Sequence, residues 1–275
     1  MKKIKINNQI TVGQNEKLLF ILGPCQIESL EHCRKLATDI KKITDKYSKD
    51  INVVFKSSFD KANRTKLDSK RGVGFKKGLE ILSIIKEESG LPIITDIHTE
   101  DQILEIAKVA DIIQIPAFLC RQTDLLVAAG KSGKIINLKK GQFLHPEDLK
   151  HSAAKVSSTG NENILLCERG SMFGYRQLIV DFRSFSMLKE IGYPVIYDVT
   201  HSVQSMGSNN GTTGGCSEYI PQLTNAALAY GVDGIFLEVH DDPKNAPSDG
   251  ANMLNINNLE NLILNSIKIR NLNLQ

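Results

Sequence analysis

No apolar run in the 275 residues approaches the roughly 20 needed to span a bilayer. A membrane-spanning chain is therefore not expected. The N-terminal stretch MKKIKINNQ lacks the apolar core of a secretory signal. Neither sign of charge is in large excess, with 34 Lys and Arg against 31 Asp and Glu. A net charge of +3 is too small to point to nucleic acid or a membrane surface as partner. Cysteine is sparse: Cys25, Cys33, Cys120, Cys167 and Cys216 are odd in number and include no CxxC pair. That argues against a disulfide framework and for a reduced, cytoplasmic setting. No linker or compositional break divides the chain. With 41% hydrophobic and 24% charged residues it reads as one globular domain over residues 1–275.

What is present is a repeating design, clearest in VVFKSSFDKANR (Val53–Arg64). A buried strand, Val53-Val54-Phe55, switches within one residue to cations and hydroxyls. A parallel strand does this where its C-terminal end opens onto a ligand site. Seven more apolar runs end in polar chemistry. They are Leu18–Cys25, Ile93–Asp96, Ile112–Ala117, Ile135–Lys140, Ile164–Arg169, Val195–His201 and Ile235–His240.

Helical periodicity fills the intervals: Ser29–Tyr47, Gly78–Glu88, Glu100–Val109, Thr123–Lys131, Pro146–Ser157, Ser184–Ile191, Glu218–Tyr230 and Leu259–Ile269. Pro146 followed by two acids suits a helix start. Gly90, Gly160 and Gly231 stand where helices should stop. Eight strands alternating with eight helices is the count of a (β/α)₈ TIM barrel. A doubly wound open sheet competes, but has no need of eight similar units. Ahead of them, Lys3–Ile6 and Gln9–Val12 flank Asn7-Asn8. This reads as a tight-turned hairpin within residues 1–13, a lid on the barrel bottom.

A barrel builds its active site at the C-terminal ends of its strands. Those ends carry Cys25; Lys56 with Lys61 and Arg64; Asp96; Gln114; Lys139; Arg169; Asp198 with His201; and Glu238 followed by Asp249. Lys56, Lys61, Lys139 and Arg169 form a cationic group, with Arg64 and Arg121 peripheral. Taken singly each is more often a surface charge. Converging on one mouth they repel unless an anion sits among them, which implies a multiply anionic ligand. Cys25, His201, Glu238 and Asp249 form a second group, a borderline set suited to Zn²⁺, Fe²⁺ or Mn²⁺. No compact ligand motif marks them, and Cys25 alone would pass for a small buried hydrophobe. His32, His98, His145 and His151 read as surface or supporting residues.

FKSSFDKANR, IITDIH, IIQIPAFLCRQTDLL, NLKKGQF, ERGSMFGY, VIYDVTHSVQ and IFLEVHDDP together resemble the 3-deoxy-D-manno-octulosonate 8-phosphate synthases of the metal-dependent type. The likeness runs from about Leu19 to Leu259. It implies a tetrameric barrel that condenses phosphoenolpyruvate with D-arabinose 5-phosphate and water, releasing phosphate. By motif match, Lys61, Lys139 and Arg169 would hold phosphoenolpyruvate beside Ser58, Gln114 and Ala117, with Lys56 near the reacting carbons and Asp96 among the substrate-binding residues. Asn63 and Arg64 would reach the sugar phosphate. Arg121 and Thr213 would complete that phosphate site in a neighbouring subunit of a homotetramer. The family loop usually reads Ser-Gly-Gly where Thr213-Gly214-Gly215 stands, and Ser208–Gly211 departs from the usual pattern.

Cysteine at position 25 marks the metal-dependent members, where metal-independent ones carry asparagine. The resemblance thus implies one divalent ion on Cys25, His201, Glu238 and Asp249. His201, Asp249, Cys25 and Lys56 are the implied catalytic residues. Other readings remain: the related 3-deoxy-arabino-heptulosonate 7-phosphate synthases, which take erythrose 4-phosphate; a metal-dependent barrel hydrolase; and a silent phosphosugar-binding barrel.

Overall fold

The structure is a computed structural model. It describes residues 1–174, 177–209 and 212–273, and leaves the side chains of residues 206–209, 212 and 213 undescribed. Eight parallel strands form the barrel: β3 (Leu18–Gly23), β4 (Ile51–Lys56), β5 (Ile93–Asp96), β6 (Ile112–Ile115), β7 (Ile135–Lys139), β8 (Ile164–Glu168), β11 (Val195–Asp198) and β14 (Gly234–His240). Each pairs with the next in chain order, and β14 pairs with both β11 and β3, which closes the cylinder.

The strands are near-continuous apolar runs because both of their faces are covered. Leu19, Ile21, Val54, Ile94, Ile112, Ile135, Leu165, Ile196 and Phe236 fill the barrel interior. Leu18, Phe20, Leu22, Phe55, Ile113, Leu166 and Ile235 point outward into the layer shared with the helices. The side-chain period of two therefore divides each run between two cores. A one-residue register slip would exchange them.

The helices are α1 (Leu30–Thr44), α2 (Phe75–Ser89), α3 (Ile103–Val109), α4 (Thr123–Lys131), α5 (Leu149–Ser157), α6 (Ser184–Glu190), α8 (Ile220–Tyr230) and α9 (Leu259–Leu272). All eight segments of helical period are thus helices. The Ser29 hydroxyl caps α1 by accepting from the His32 backbone N–H at 3.1 Å. Gly90 and Gly231 end α2 and α8 in the left-handed conformation, at φ 69° and 96°.

The hairpin β1 (Ile4–Lys5) and β2 (Thr11–Val12) closes the barrel floor. Ile4 and Val12 pack among the interior residues, and the Asn52 amide donates to the Thr11 carbonyl at 3.3 Å. Its turn is wider than the two residues expected. The Ile6 N–H reaches the Ile10 carbonyl at 2.8 Å. The Asn7 side chain accepts from the backbone N–H groups of both Gln9 and Ile10, which stabilises the longer loop.

The other elements outside the eight repeats follow the C-terminal ends of the strands. A short ribbon, β9 (Ser171–Met172) with β10 (Leu178–Ile179), follows β8. One helical turn, α7 (Val199–Ser202), and the ribbon β12 (Gln204–Asn209) with β13 (Thr212–Gly215) follow β11. A parallel strand, β15 (Leu254–Asn255), extends β14. They deepen the mouth on one side.

Candidate active site

The interior parity that fills the barrel with aliphatic side chains also decides which polar residues face its mouth. An even number of positions, two or four, beyond an interior apolar residue of the same run stand Lys56, Asp96, Gln114, Lys139, Arg169, Asp198 and Glu238, all buried. Above them opens a cavity of about 1440 Å³. Its lining includes Lys61, Asn63, Arg64, Asp96, Gln114 and Ala117 on one side. Lys139, Arg169, His201, Gln204 and Asp249 line the other. Cys25, Lys56, Ser58 and Glu238 lie beneath that surface, each no more than 2% exposed.

Gly23 makes the close approach of Cys25 possible. At φ 152°, a Cβ on this residue would stand 2.0 Å from the Lys56 carbonyl oxygen of the adjacent strand. The chain then turns through Pro24 and buries Cys25. Its Sγ lies 3.1 Å from Ser248 Oγ and 3.2 Å from Asp249 Oδ2. Burial, reinforced by the Glu238 carboxylate, pushes the Cys25 thiol well above its ordinary range.

Donor atoms of Cys25, Glu238 and Asp249 all lie within 4.8 Å of one another. His201 Nε2 is 3.6 Å from Glu238 Oε1. Glu238 Oε2 is buried without a hydrogen-bond partner among the described residues. Asp249 takes a left-handed backbone at φ 53°, which is uncommon for a residue with a side chain and is found at ligand-holding positions. Thiol, imidazole and two carboxylates with an orphaned oxygen among them fit a divalent ion.

The cations are held by buried counter-charges. Lys56 Nζ donates to Glu238 Oε1 at 2.8 Å and to the Cys25 carbonyl at 3.0 Å. Lys139 Nζ lies 2.5 Å from Asp198 Oδ2 and 4.0 Å above the Phe236 ring. Asp198 also receives His201 Nδ1 at 2.8 Å, and burial that would raise its carboxyl is outweighed by His201, Lys139 and Arg169, which hold it well below the usual range. Lys61 Nζ donates to Ser58 Oγ at 3.0 Å.

Arg169 is 4% exposed, its Nη2 donates to Gln204 Oε1 at 2.7 Å, and its Nη1 has no hydrogen-bond partner among the described residues. Arg64 reaches Gln26 Oε1 at 2.9 Å and the Lys70 carbonyl at 3.2 Å. Arg121 is exposed and outside the cavity lining. The side chain of Thr213 lies outside the described residues.

Several participants went unmarked in the sequence reading. Gln204 joins two of the marked residues, with its Nε2 donating to Asp249 Oδ1 at 3.2 Å. Its only signal was a place three residues after His201. Lys140 is completely buried and donates to the carbonyls of Gly141, Leu144 and Gly170 and to Ser171 Oγ. It ties the loops after β7 and β8 together next to Arg169. His98, read as supporting, does support: its Nε2 meets Asp96 Oδ2 at 3.1 Å.

The model of the DAHP synthetase I family matches residues 1–273. The 2-dehydro-3-deoxyphosphooctonate aldolase of Desulfatibacillum aliphaticivorans is 53% identical over 265 residues, covering 96% of each chain. Proteins of the same name from Rickettsia prowazekii and Brucella canis are 51% and 50% identical. They cover 96% and 94% of this chain and 95% and 93% of their own. A closed barrel with a cation-lined mouth, matched over nearly its whole length at this identity, belongs to the DAHP synthetase I family, beside its 2-dehydro-3-deoxyphosphooctonate aldolases.

Proposed function

We propose that the chain is itself a 2-dehydro-3-deoxyphosphooctonate aldolase, condensing phosphoenolpyruvate with D-arabinose 5-phosphate and water and releasing phosphate. The observation that carries this reading is Arg169: a buried guanidinium with one nitrogen unpartnered among the described residues, in a cavity that Lys61 and Lys139 also line. Donors so placed call for a small, multiply charged anion. The phosphate and carboxylate of phosphoenolpyruvate meet that demand, with Ser58, Gln114 and the Ala117 backbone beside them. Asn63 and Arg64, farther out along the same cavity, take the sugar and its phosphate.

Held so, the enol carbon faces the sugar aldehyde, and fixing two anions in one geometry removes encounter entropy worth up to about 7–11 kcal/mol. Positive charge developing at the enol ether carbon is disfavoured beside so many cations. Asp198 and Glu238 reduce that cost, because they already neutralise Lys139 and Lys56. Asp249, half-buried on the cavity wall, is in reach of solvent and can carry a proton. Cys25, His201, Glu238 and Asp249 would hold one divalent ion, Fe²⁺, Zn²⁺ or Mn²⁺, supplying Lewis acidity toward the aldehyde or the water.

A homotetramer accounts for two further features. Phe118, Phe143, Phe173 and Ile179 follow neighbouring strands and are 45–67% exposed, an apolar area that a partner subunit would cover. Arg121 is exposed and is not among the residues lining its own chain's cavity, so it can serve a neighbour's sugar phosphate together with Thr213. Phosphate release dependent on both substrates, with arabinose 5-phosphate preferred to erythrose 4-phosphate, tests the activity. Equal turnover of the two aldoses, or release from phosphoenolpyruvate alone, would refute it.

A further inference from the structure

A second group of histidines and carboxylates lies outside this machinery, where the chain leaving β3 meets the end of β14. Ser29 caps α1, which places Glu28 just ahead of that helix and His32 in its first turn. His240 is the last residue of β14, and Asp241 follows it. His240 Nε2 is 2.7 Å from Glu28 Oε1, and His32 Nδ1 is 3.7 Å from the same oxygen. The three donor atoms lie within 4.8 Å of one another. Ring centroids of the two histidines are 4.7 Å apart.

The far nitrogens of both rings meet one carboxylate. His32 Nε2 is 3.1 Å, and His240 Nδ1 3.3 Å, from Asp241 Oδ1. Lys35 holds the other oxygen of Asp241 at 2.8 Å. A proton on His32 Nε2, donated to Asp241, leaves a lone pair on Nδ1. That atom is buried and has no hydrogen-bond partner among the described residues. A carboxylate behind an imidazole is what fixes ring and tautomer for a metal in front of it.

We propose that Glu28, His32 and His240 form a second binding site for a borderline divalent cation of the Zn²⁺ class, oriented from behind by Asp241. Two imidazole nitrogens and one carboxylate oxygen suit such an ion, and partial exposure of Glu28 and His32 leaves a position open to water. Without the ion, His240 Nδ1 accepts from the Asp242 N–H at 2.9 Å, and Nε2–H donates to Glu28. With it, the ring proton moves from Nε2 to Nδ1, which gives up the bond from the Asp242 N–H and donates to Asp241 Oδ1 instead. The ion is structural in role: it clamps the β3–α1 connection, which carries Cys25, to the segment that leads from Glu238 to Asp249.

The test counts ions on the stripped full chain. Wild type, His32→Ala, His32→Gln and Cys25→Ala are dialysed against Zn²⁺ and analysed for metal. Parallel Co²⁺ loading reports thiolate ligation by its near-ultraviolet charge-transfer absorption. Two ions are expected in wild type and one in either His32 variant, with the thiolate absorption kept. One is expected in Cys25→Ala, with that absorption lost. The second equivalent of Zn²⁺ should raise the melting temperature of wild type and leave that of His32→Gln unmoved. A wild type whose single ion carries the thiolate absorption, or His32 variants that match wild type in stoichiometry, would overturn the proposal. Failure of the catalytic site alone reads differently: Cys25→Ala would then hold as many ions as wild type.

Discussion

Lys56 and Glu238 form an ion pair at 2.8 Å inside the barrel mouth, with side chains 2% and 0% exposed. Burial alone would raise the Glu238 carboxyl. Lys56, then His201, Lys61 and Lys139, outweigh it and hold the group well below the usual carboxylate range. Removing one partner of such a pair strands the other in a low-dielectric site at a cost of about 3–5 kcal/mol. Lys56→Met should therefore lower unfolding stability by about that amount in urea titrations. Lys56→Met combined with Glu238→Gln should recover part of it. Equal stability of Lys56→Met and wild type would remove the pair from the account.

Arg64 sits on the cavity wall with its guanidinium only partly engaged, on Gln26 and the Lys70 carbonyl. Arg64→Ala should weaken the sugar phosphate by about 1.5–3 kcal/mol, roughly 10- to 100-fold in its KM. The KM for phosphoenolpyruvate should barely move, since Lys61, Lys139 and Arg169 remain. Steady-state kinetics with each substrate varied in turn separates the two, and an unchanged sugar-phosphate KM would refute the role.

Removal of metal should abolish turnover and spare phosphoenolpyruvate binding, because the three cations facing that substrate do not depend on the ion. The Cys25 thiol, pushed up by burial and Glu238, stays protonated at neutral pH without a cation and must release its proton on binding one. Cys25→Ala should bind phosphoenolpyruvate in calorimetry yet fail in condensation. Cys25→Asn should regain some metal-free activity, since an amide can hydrogen-bond a water there. Full activity of verified metal-free wild type would contradict the assignment.

Asp96 supplies a pH dependence. Its burial would raise the carboxyl, but the His98 hydrogen bond and charge, then Lys61 and Lys56, hold it well below its unfolded value near 3.9. A depressed folded-state value means stability that is present above about pH 4 and lost as pH falls further, each unit being worth about 1.4 kcal/mol. Wild type should lose stability more steeply than Asp96→Asn between about pH 5 and pH 3. Urea midpoints measured across that range check it, and parallel curves would show that Asp96 carries no such linkage.

Much of the scaffold is legible in the chain because its cause is local. Each barrel strand is a short run of β-branched and aliphatic residues, and each helix has its own period and stop. Even the adjacency of Cys25, His201 and Glu238 follows from counting strands, since closure makes the first, seventh and eighth neighbours. Turn chemistry was less legible. Asn7-Asn8 suggested a two-residue turn, whereas the Asn7 side chain stabilises a longer one by bonding Gln9 and Ile10. The ribbons after β8 and β11 were missed because such short pairings have no period to detect.

The sequence by itself determined the repeat, the parity that sends alternate residues into the barrel, and the kinds of group that collect at the strand ends. Only the tertiary structure decided who meets whom there. Lys56 reads in the sequence as a residue near the reacting carbons, yet 182 positions on it finds the carboxylate that neutralises it. Gln204 couples Arg169 to Asp249, and Glu28 reaches His240 across 212 positions. Strands and helices arise from preferences within a few residues. Buried charge pairs arise when closure removes water from groups far apart in the chain, and a burial cost of several kcal/mol leaves each charge needing a partner.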